Sequence, residues 1–436
     1  MADNVTVFWF RRDLRLNDNV GLHHALKSGK PVMPIFIFDP EILEKLPEDD
    51  ARVTFIHQNL QKISAKLQKE ADSSLSVFHG TPKEIFNDLL KKYSISEVYC
   101  NHDYEPYAKK RDEEISDFLA EKEIAFKTFK DQVVFEKSEV TKDDGDPYVV
   151  YTPYKNKWKA NLDEKAHLKD YEIKPHFSNF IKNTKLPFLD LSDMGFEASS
   201  IEVPEYDVSP ELIENYEATR NYPAKSKGTS HLGPHLRFGT VSIRNMVRKA
   251  MAEKNEVFWS ELIWREFFMQ ILWHFPHTVD KAFRAKYDRI EWRNNEAEFE
   301  LWKKGQTGYA LVDAGMRELN ETGYMHNRVR MLVASFLCKH LLIDWRWGEA
   351  YFAEKLLDFE LASNVGNWQW AAGSGVDAAP YFRIFNPMTQ IDKFDKQKEY
   401  INRWVPELQE LTYPDKMVDH KMARERCLKV YKEAVS

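Results

Sequence analysis

The first third of the chain alternates short runs of β-branched and aromatic residues with longer amphipathic stretches. The runs are Val5–Phe10 (VTVFWF), Pro31–Phe38 (PVMPIFIF), Leu75–His79 (LSVFH) and Glu97–Cys100 (EVYC). Each has the length of a buried strand. Between them, Phe55–Lys69 and Lys83–Lys92 carry apolar residues at helical spacing. Strand and helix in alternation predict βαβ units around a parallel sheet, a Rossmann-like α/β domain. After the first run stands RRDLRLNDN, with no GxGxxG, so the ordinary dinucleotide fingerprint is missing. Asn17, Asp18 and Asn19 offer side-chain oxygens for a helix N-cap there.

The periodicity weakens from 131 to 205, where Asp143–Pro147 marks a polar turn and Pro153, Pro175, Pro187 and Pro204 interrupt any long helix. Beyond it helical patterns dominate. The predicted organisation is an α/β domain over 1–130, a linker over 131–205 and an all-helical domain over 206–436.

Composition changes this picture in one respect. Hydrophobic residues make up 43% and charged residues 30%, which suits folded domains with sizeable cores. Aromatics reach 14%, and ten of the 12 Trp fall between Trp259 and Trp404, inside the helical part. The net charge of −7 excludes a globally basic nucleic-acid coat but leaves room for a local basic groove. Three scattered cysteines, Cys100, Cys338 and Cys427, argue against a disulfide framework and a Cys-based zinc site, and no metal site is expected. With no signal-peptide pattern and no stretch of 18 apolar residues, a cytoplasmic, reducing location is expected.

Four segments carry candidate chemistry. In FWSELIWREFFMQILWHFP, Glu261, Trp264, Arg265 and Phe268 share one helix face. A carboxylate and a guanidinium on so apolar a helix line a wet cavity or form an ion pair, and the pair is the plainer reading. In GYMHNRVRM, Asn327, Arg330 and Met331 are expected to face one way, with Arg328 pointing away. In LLDFELASNVGNWQWAAGSGVDAAPYFRIFNP, Asp358, Phe359 and Glu360 precede Asn364, and Trp368 and Trp370 project to opposite sides of a helix. In YEATRNYPAKSKGTSHLGPHLRFGTVS, Gly228, Thr229 and Ser230 stand before a helix-like run, where a phosphate site or a plain N-cap fits.

Together with FRRDLRLNDN, GQTGYALVDAGMREL and LIDW, these segments closely resemble the photolyase/cryptochrome superfamily, over nearly the whole chain. The chain is most similar to class I cyclobutane pyrimidine dimer photolyases. The resemblance implies an N-terminal antenna domain and a helical domain that holds FAD. It implies light-driven repair, in which excited reduced FAD passes an electron to a pyrimidine dimer flipped out of DNA. It places Tyr216, Thr229, Ser230, His231, Leu232 and Gly233 around the phosphates and ribityl chain of FAD. Arg265, Phe359 and Glu360 belong to the same cofactor set. Arg330 and Asp358 are implied as an ion pair beside the flavin ring, with Asn364 next to flavin N5. The family often has Arg and Ser where His231 and Gly233 stand, and Asp in place of Glu360.

For the lesion the resemblance implies Glu261, Trp264, Asn327, Arg328, Met331 and Trp370. Trp292, Trp345 and Trp368 match an electron relay running from surface to flavin. Arg220 matches a DNA-contact position, and Arg237, Arg244, Lys393, Lys396 and Lys398 lie in or near the motifs as further phosphate contacts. UV-damaged DNA is the implied partner of a monomer with no membrane attachment. A blue-light receptor cryptochrome is the first alternative. Asn364 speaks against it, since plant-type receptors tend to carry Asp there, and Ser436 leaves no long signalling tail. A (6-4) photolyase is the second, and that branch places His where Asn327 stands. A second antenna chromophore of folate, deazaflavin or flavin type is also implied. Tyr107 and Ala108 replace the folate-type Asn–Glu pair, so a standard folate site is not expected.

Overall fold

A computed structural model describes residues 4–436. The chain forms two compact units, each gathered from separate stretches. One takes the chain up to 136 together with 162–205 and 232–249, and the other takes 137–161, 206–231 and 250–436. The stretch read as a linker is thus divided: the helix Tyr151–Asn161 belongs to the second unit, and 162–205 to the first.

The first unit is built on a five-stranded parallel sheet. Its strands are β1 (Asn4–Phe10), β2 (Val32–Phe38), β3 (Ser76–His79), β4 (Ser94–Asn101) and β5 (Ala125–Phe129), in the order β3-β2-β1-β4-β5. β1 and β2 are buried on both faces, which is why their sequences read as unbroken apolar runs. Val5, Val7 and Trp9 join Met33, Ile35 and Ile37 in one core layer, while Phe8 and Phe10 join Val32 and Phe36 in the other. β5 has no counterpart in the sequence reading. It is a five-residue edge strand whose Lys127 and Thr128 face solvent, so it lacks the apolar signal of the inner strands. Asn19 caps the helix Val20–Leu26, its side chain accepting the N–H of Leu22. Thr81 and Glu84 form a capping box at the start of the helix Pro82–Lys92. Strand order reverses between β1 and β4, which places a crevice at the carboxyl ends of the strands.

The second unit is helical. Its core gathers Trp302, Met316, Leu319, Val329, Phe336, Leu337, Trp345 and Trp368. The helices Val257–His274, Ala310–Thr322, Asn327–Ser335, Trp345–Lys355 and Leu361–Ala372 surround that core. Asn327–Ser335 runs on into a turn of π-helix, Phe336–Leu341, which ends at Leu342 with φ of 50°. Gly348 lets Trp345–Lys355 and Leu361–Ala372 pack closely, since a Cβ there would lie 2.1 Å from the Trp368 ring. Among the described residues no helix is long and apolar enough to cross a membrane.

Candidate functional site

The site is assembled in the helical unit. Apolar side chains bury most of Val257–His274, but Glu261, Trp264 and Arg265 are only half-buried. Glu261 accepts a hydrogen bond from Arg220, which closes the helix Pro210–Thr219. Burial pushes the Glu261 carboxyl up, and Arg220 partly offsets it. Trp264 lies flat against Tyr151, ring centroids 3.6 Å apart and planes at 10°. The Tyr151 hydroxyl donates to the Ser260 carbonyl at 2.6 Å, which fixes that ring in turn. Tyr216 meets Phe258 edge-on at 5.2 Å.

The start of Asn327–Ser335 supplies the next group. Arg330 donates two parallel hydrogen bonds to Asp358, both 3.0 Å, and a third to the Met325 carbonyl at 2.6 Å. Burial works against the Arg330 charge, but Asp358 outweighs it and holds the guanidinium above its ordinary range. Asn327 is exposed, while Arg328 and Met331 are half-buried. Arg328 donates to the Asn221 side chain, lies 4.4 Å from the Phe394 ring centroid, and brings Nη1 to 3.9 Å from the Met331 sulfur. This corrects the expectation that Arg328 points away from Met331. The two are three apart on a helix, and the long arginine stem closes the remaining gap.

Leu361–Ala372 carries the third group. Glu360 is its N-cap, accepting the Ser363 N–H at 2.9 Å, and Phe359 is half-buried beside it. The Asn364 amide donates to Glu349 at the carbonyl, 3.1 Å, and at Oε1, 2.9 Å. Trp368 is 2% exposed and Trp370 is half-buried, so the two rings do face different surroundings. Trp345 is buried as well and Trp292 half-buried. The Trp302 ring centroid lies 6.3 Å from that of Trp368, a further buried indole in the same core.

The fourth group is Thr229–Gly233. Thr229 Oγ1 is 3.2 Å from the Tyr324 hydroxyl, and the Ser230 carbonyl accepts the Asp207 N–H at 2.9 Å. His231 has φ of 51°, and its Nδ1 is buried with no hydrogen-bond partner. Leu232 and Gly233 open the six-residue helix Gly233–Phe238 and belong to the α/β unit. The N-cap there is Leu232, so neither Thr229 nor Ser230 caps it, contrary to that reading of the segment.

The donor set fits FAD. His231 Nδ1 and His326 Nε2 are buried ring nitrogens without partners, and the His231 ring lies 4.8 Å from that of Tyr324, whose hydroxyl meets Thr229 Oγ1. The Arg330–Asp358 pair and the Asn364 amide suit the imide edge and ring nitrogens of a flavin. Four residues of this neighbourhood were missed in the sequence. Tyr151 sits in the stretch read as a linker. Asn221 and Glu349 are single polar residues whose partners lie 107 and 15 positions away, and the His326 ring caps its own helix, so no spacing rule reveals their part in the site.

The charged segment after β1 differs from this site. Arg15 donates to Asp131 at 2.6 Å and to the carbonyls of Asp18 and Gly239. Asp13 accepts from the N–H of Arg11 and from the amides of Asn19 and Asn101. Arg244 is 4% exposed and pairs with Asp18 and Asp131, so it is not free for phosphate as expected. Arg237 is likewise engaged with Glu105 at 2.6 Å, whereas Lys393, Lys396 and Lys398 are exposed. Near the carboxyl ends of the strands, Tyr107 donates to Asp39, and Arg11 and Arg111 both lie over Trp9.

Comparison with known proteins adds to this geometry. Residues 6–172 match the family described as DNA photolyase, and residues 258–412 match the FAD binding domain of DNA photolyase. A deoxyribodipyrimidine photo-lyase of Agrobacterium fabrum is 36% identical, covering 98% of this chain and 97% of its own. The crystal structure of a bacterial class III photolyase from Agrobacterium tumefaciens matches with a TM-score of 0.88 at 34% identity, covering 100% of this chain and 98% of its own. An archaeal photolyase from Sulfolobus tokodaii, solved with two FAD molecules, matches with a TM-score of 0.83 at 34% identity, covering 98% and 100%.

Proposed function

The chain belongs to the DNA photolyase family, and from that premise we propose that it repairs cyclobutane pyrimidine dimers in DNA with light. The observation that carries this reading is the polar face of Val257–His274. An arginine-paired carboxylate, Glu261, stands one turn from a half-buried indole, Trp264, on a helix with little other reason to carry charge.

A dimer inside a duplex is out of reach, so it must be flipped out, which costs a few kcal/mol and least for a damaged base. Trp264 and Trp370 offset that cost by stacking, at roughly 1–3 kcal/mol per base. Tyr151 backs Trp264 and keeps its ring in place for the lesion. Asn327 hydrogen-bonds a base edge, Met331 gives an apolar contact, and Arg220, Arg328 and the exposed Lys393, Lys396 and Lys398 hold phosphates. Glu261 hydrogen-bonds the pyrimidine carbonyl and imide and stabilises charge that develops there. Tyr216, Thr229, Ser230, His231, Arg265, Arg330, Asp358, Phe359, Glu360 and Asn364 hold the cofactor. When bound, FAD supplies the light absorption and the transferable electron. Two C–C bonds break with no net oxidation, so no nicotinamide is consumed. A second, light-harvesting chromophore accompanies the FAD, by analogy with the Sulfolobus tokodaii photolyase solved with two FAD molecules. We read the protein as a monomer.

Blue-light repair of a thymine-dimer oligonucleotide by the reduced protein tests the reading. Dimers disappear only in the light. No loss of dimer with both FAD and DNA bound overturns it. Trp292→Phe slows photoreduction of oxidised flavin and spares repair by pre-reduced protein. Equal photoreduction in variant and parent removes the relay role of Trp292, Trp345 and Trp368.

A further inference from the structure

Several buried polar atoms of the helical unit lack a hydrogen-bond partner, and a ring nitrogen of one helix N-cap is among them. His326 Nε2 has no hydrogen-bond partner, and the residue is 3% exposed. The other ring nitrogen fixes its chemistry. Nδ1 accepts the backbone N–H of Arg328 at 3.1 Å, which makes His326 the N-cap of Asn327–Ser335. A backbone N–H only donates, so Nδ1 carries no proton and the neutral ring carries its proton on Nε2. Burial, and then the charges of Arg330, Arg328, Arg220 and His231, hold the ring down at about 4. The ring therefore stays neutral near pH 7 and offers an N–H donor.

Capping does not explain a histidine here. An N-cap needs only an acceptor, and Ser, Thr, Asp or Asn supplies one with less volume. A buried donor left without an acceptor is rare in native proteins and calls for a reason. The charges that act on the ring, those of Arg330, Arg328, Arg220 and His231, come from residues of the cofactor and lesion sets and point to the missing acceptor. The His231 ring, with its own unpartnered Nδ1, lies 4.8 Å from Tyr324, whose hydroxyl is 3.2 Å from Thr229 Oγ1. Hydroxyls, ring nitrogens and nearby guanidinium groups together favour an oxygen-rich, anionic ligand. We propose that His326 is a further FAD-binding residue whose Nε2–H donates to an oxygen of the ribityl–pyrophosphate part of the cofactor. This rests on FAD being the cofactor of the site.

Two substitutions separate the two ring nitrogens. His326→Asn keeps the acceptor that caps the helix and leaves the Nε2 position empty. His326→Gln reaches the Nε2 position with a donor and gives up the cap. FAD affinity is measured on the full-length holoprotein by flavin fluorescence on serial dilution, with far-UV circular dichroism as the check on folding. The expected result is about tenfold weaker FAD binding in His326→Asn, about 1.4 kcal/mol, with an unchanged spectrum. His326→Gln stays within about threefold of the parent. Parental affinity in His326→Asn overturns the proposal. So does equal weakening in both variants, which points to the cap. So does loss of damaged-DNA binding with FAD affinity intact, which gives the donor to the lesion. Should His326→Asn fail to fold, His326→Gln decides alone: retained affinity supports the proposal and a tenfold loss overturns it. A parent protein that binds no FAD removes the cofactor reading itself, a result distinct from the others.

Discussion

Two regions of this protein are dense in buried polar groups, and they are finished differently. In the segment Arg11–Asn19 the charges find partners inside the α/β unit: Arg15 with Asp131, Asp18 with Arg244, Arg11 with Asp112, and Asp13 with two amides. In the helical unit, His231 Nδ1 and His326 Nε2 are left without partners, and the arginine that balances Glu261 comes from another helix. A charge network closed by its own ion pairs serves the fold. Ring nitrogens with an open position suit a ligand. It is the pairing of the charges that distinguishes the two regions, since buried atoms without partners occur in both units, Trp9 Nε1 among them.

The largest test breaks the closed network. Arg15→Ala leaves Asp131 and the carbonyls of Asn17, Asp18 and Gly239 short of a donor and is expected to destabilise the protein by roughly 3–5 kcal/mol, read from urea unfolding. A loss under 1 kcal/mol would show that the network is not structural. Next comes pH, where Asp131 of the first region and Glu318 of the second have opposite signs. Burial raises Asp131, but Arg15 and Arg244 outweigh it, so its carboxyl lies below the ordinary range. Its contribution is present above the unfolded value, about 4, and disappears as pH falls through the folded one. Glu318, 8% exposed, is pushed up to about 7 by burial, despite hydrogen bonds from Tyr400 and the His326 N–H. Its contribution is complete below the unfolded value, about 4.3, and is lost as pH rises through 7. Glu318→Gln should remove a decline on the order of 3–4 kcal/mol between those limits. An unchanged profile of thermal midpoint against pH would count against that assignment.

Smaller effects sharpen the open side. Glu261→Ala is expected to lower repair yield about tenfold, near 1.4 kcal/mol, with FAD still bound, and unchanged yield would remove Glu261 from its role. Tyr151→Ala should weaken binding of damaged DNA by about 0.5–1.5 kcal/mol, the worth of an aromatic pair. Equal affinity for undamaged and damaged DNA in that variant would be expected only if Trp264 had lost its place entirely.

Much of this was legible in the sequence because the features are local. β1 and β2 are buried on both faces, so their apolar runs stand out, and Trp368 and Trp370 sort inward and outward by helical geometry alone. What escaped depends on distant partners. β5 is strand by pairing with β4 rather than by composition. The Arg220 to Glu261 contact spans 41 positions, and Tyr151 reaches Trp264 from a stretch whose prolines and turns suggested a linker. Arg244 read as a free cation until its two carboxylates came into view.

The interleaving of the two units has a consequence for how the chain is made. The α/β unit includes residues 232–249, and the helical unit includes 137–161. Emerging from the ribosome, the α/β part cannot complete itself at residue 136 or even at 205, because its last piece follows a stretch owed to the other unit. Early helical segments must wait, partly unburied, for the 250–436 portion. Cutting the gene at an apparent boundary would therefore yield fragments that each lack part of their own core, and the chain is best treated in expression and engineering as one translational unit.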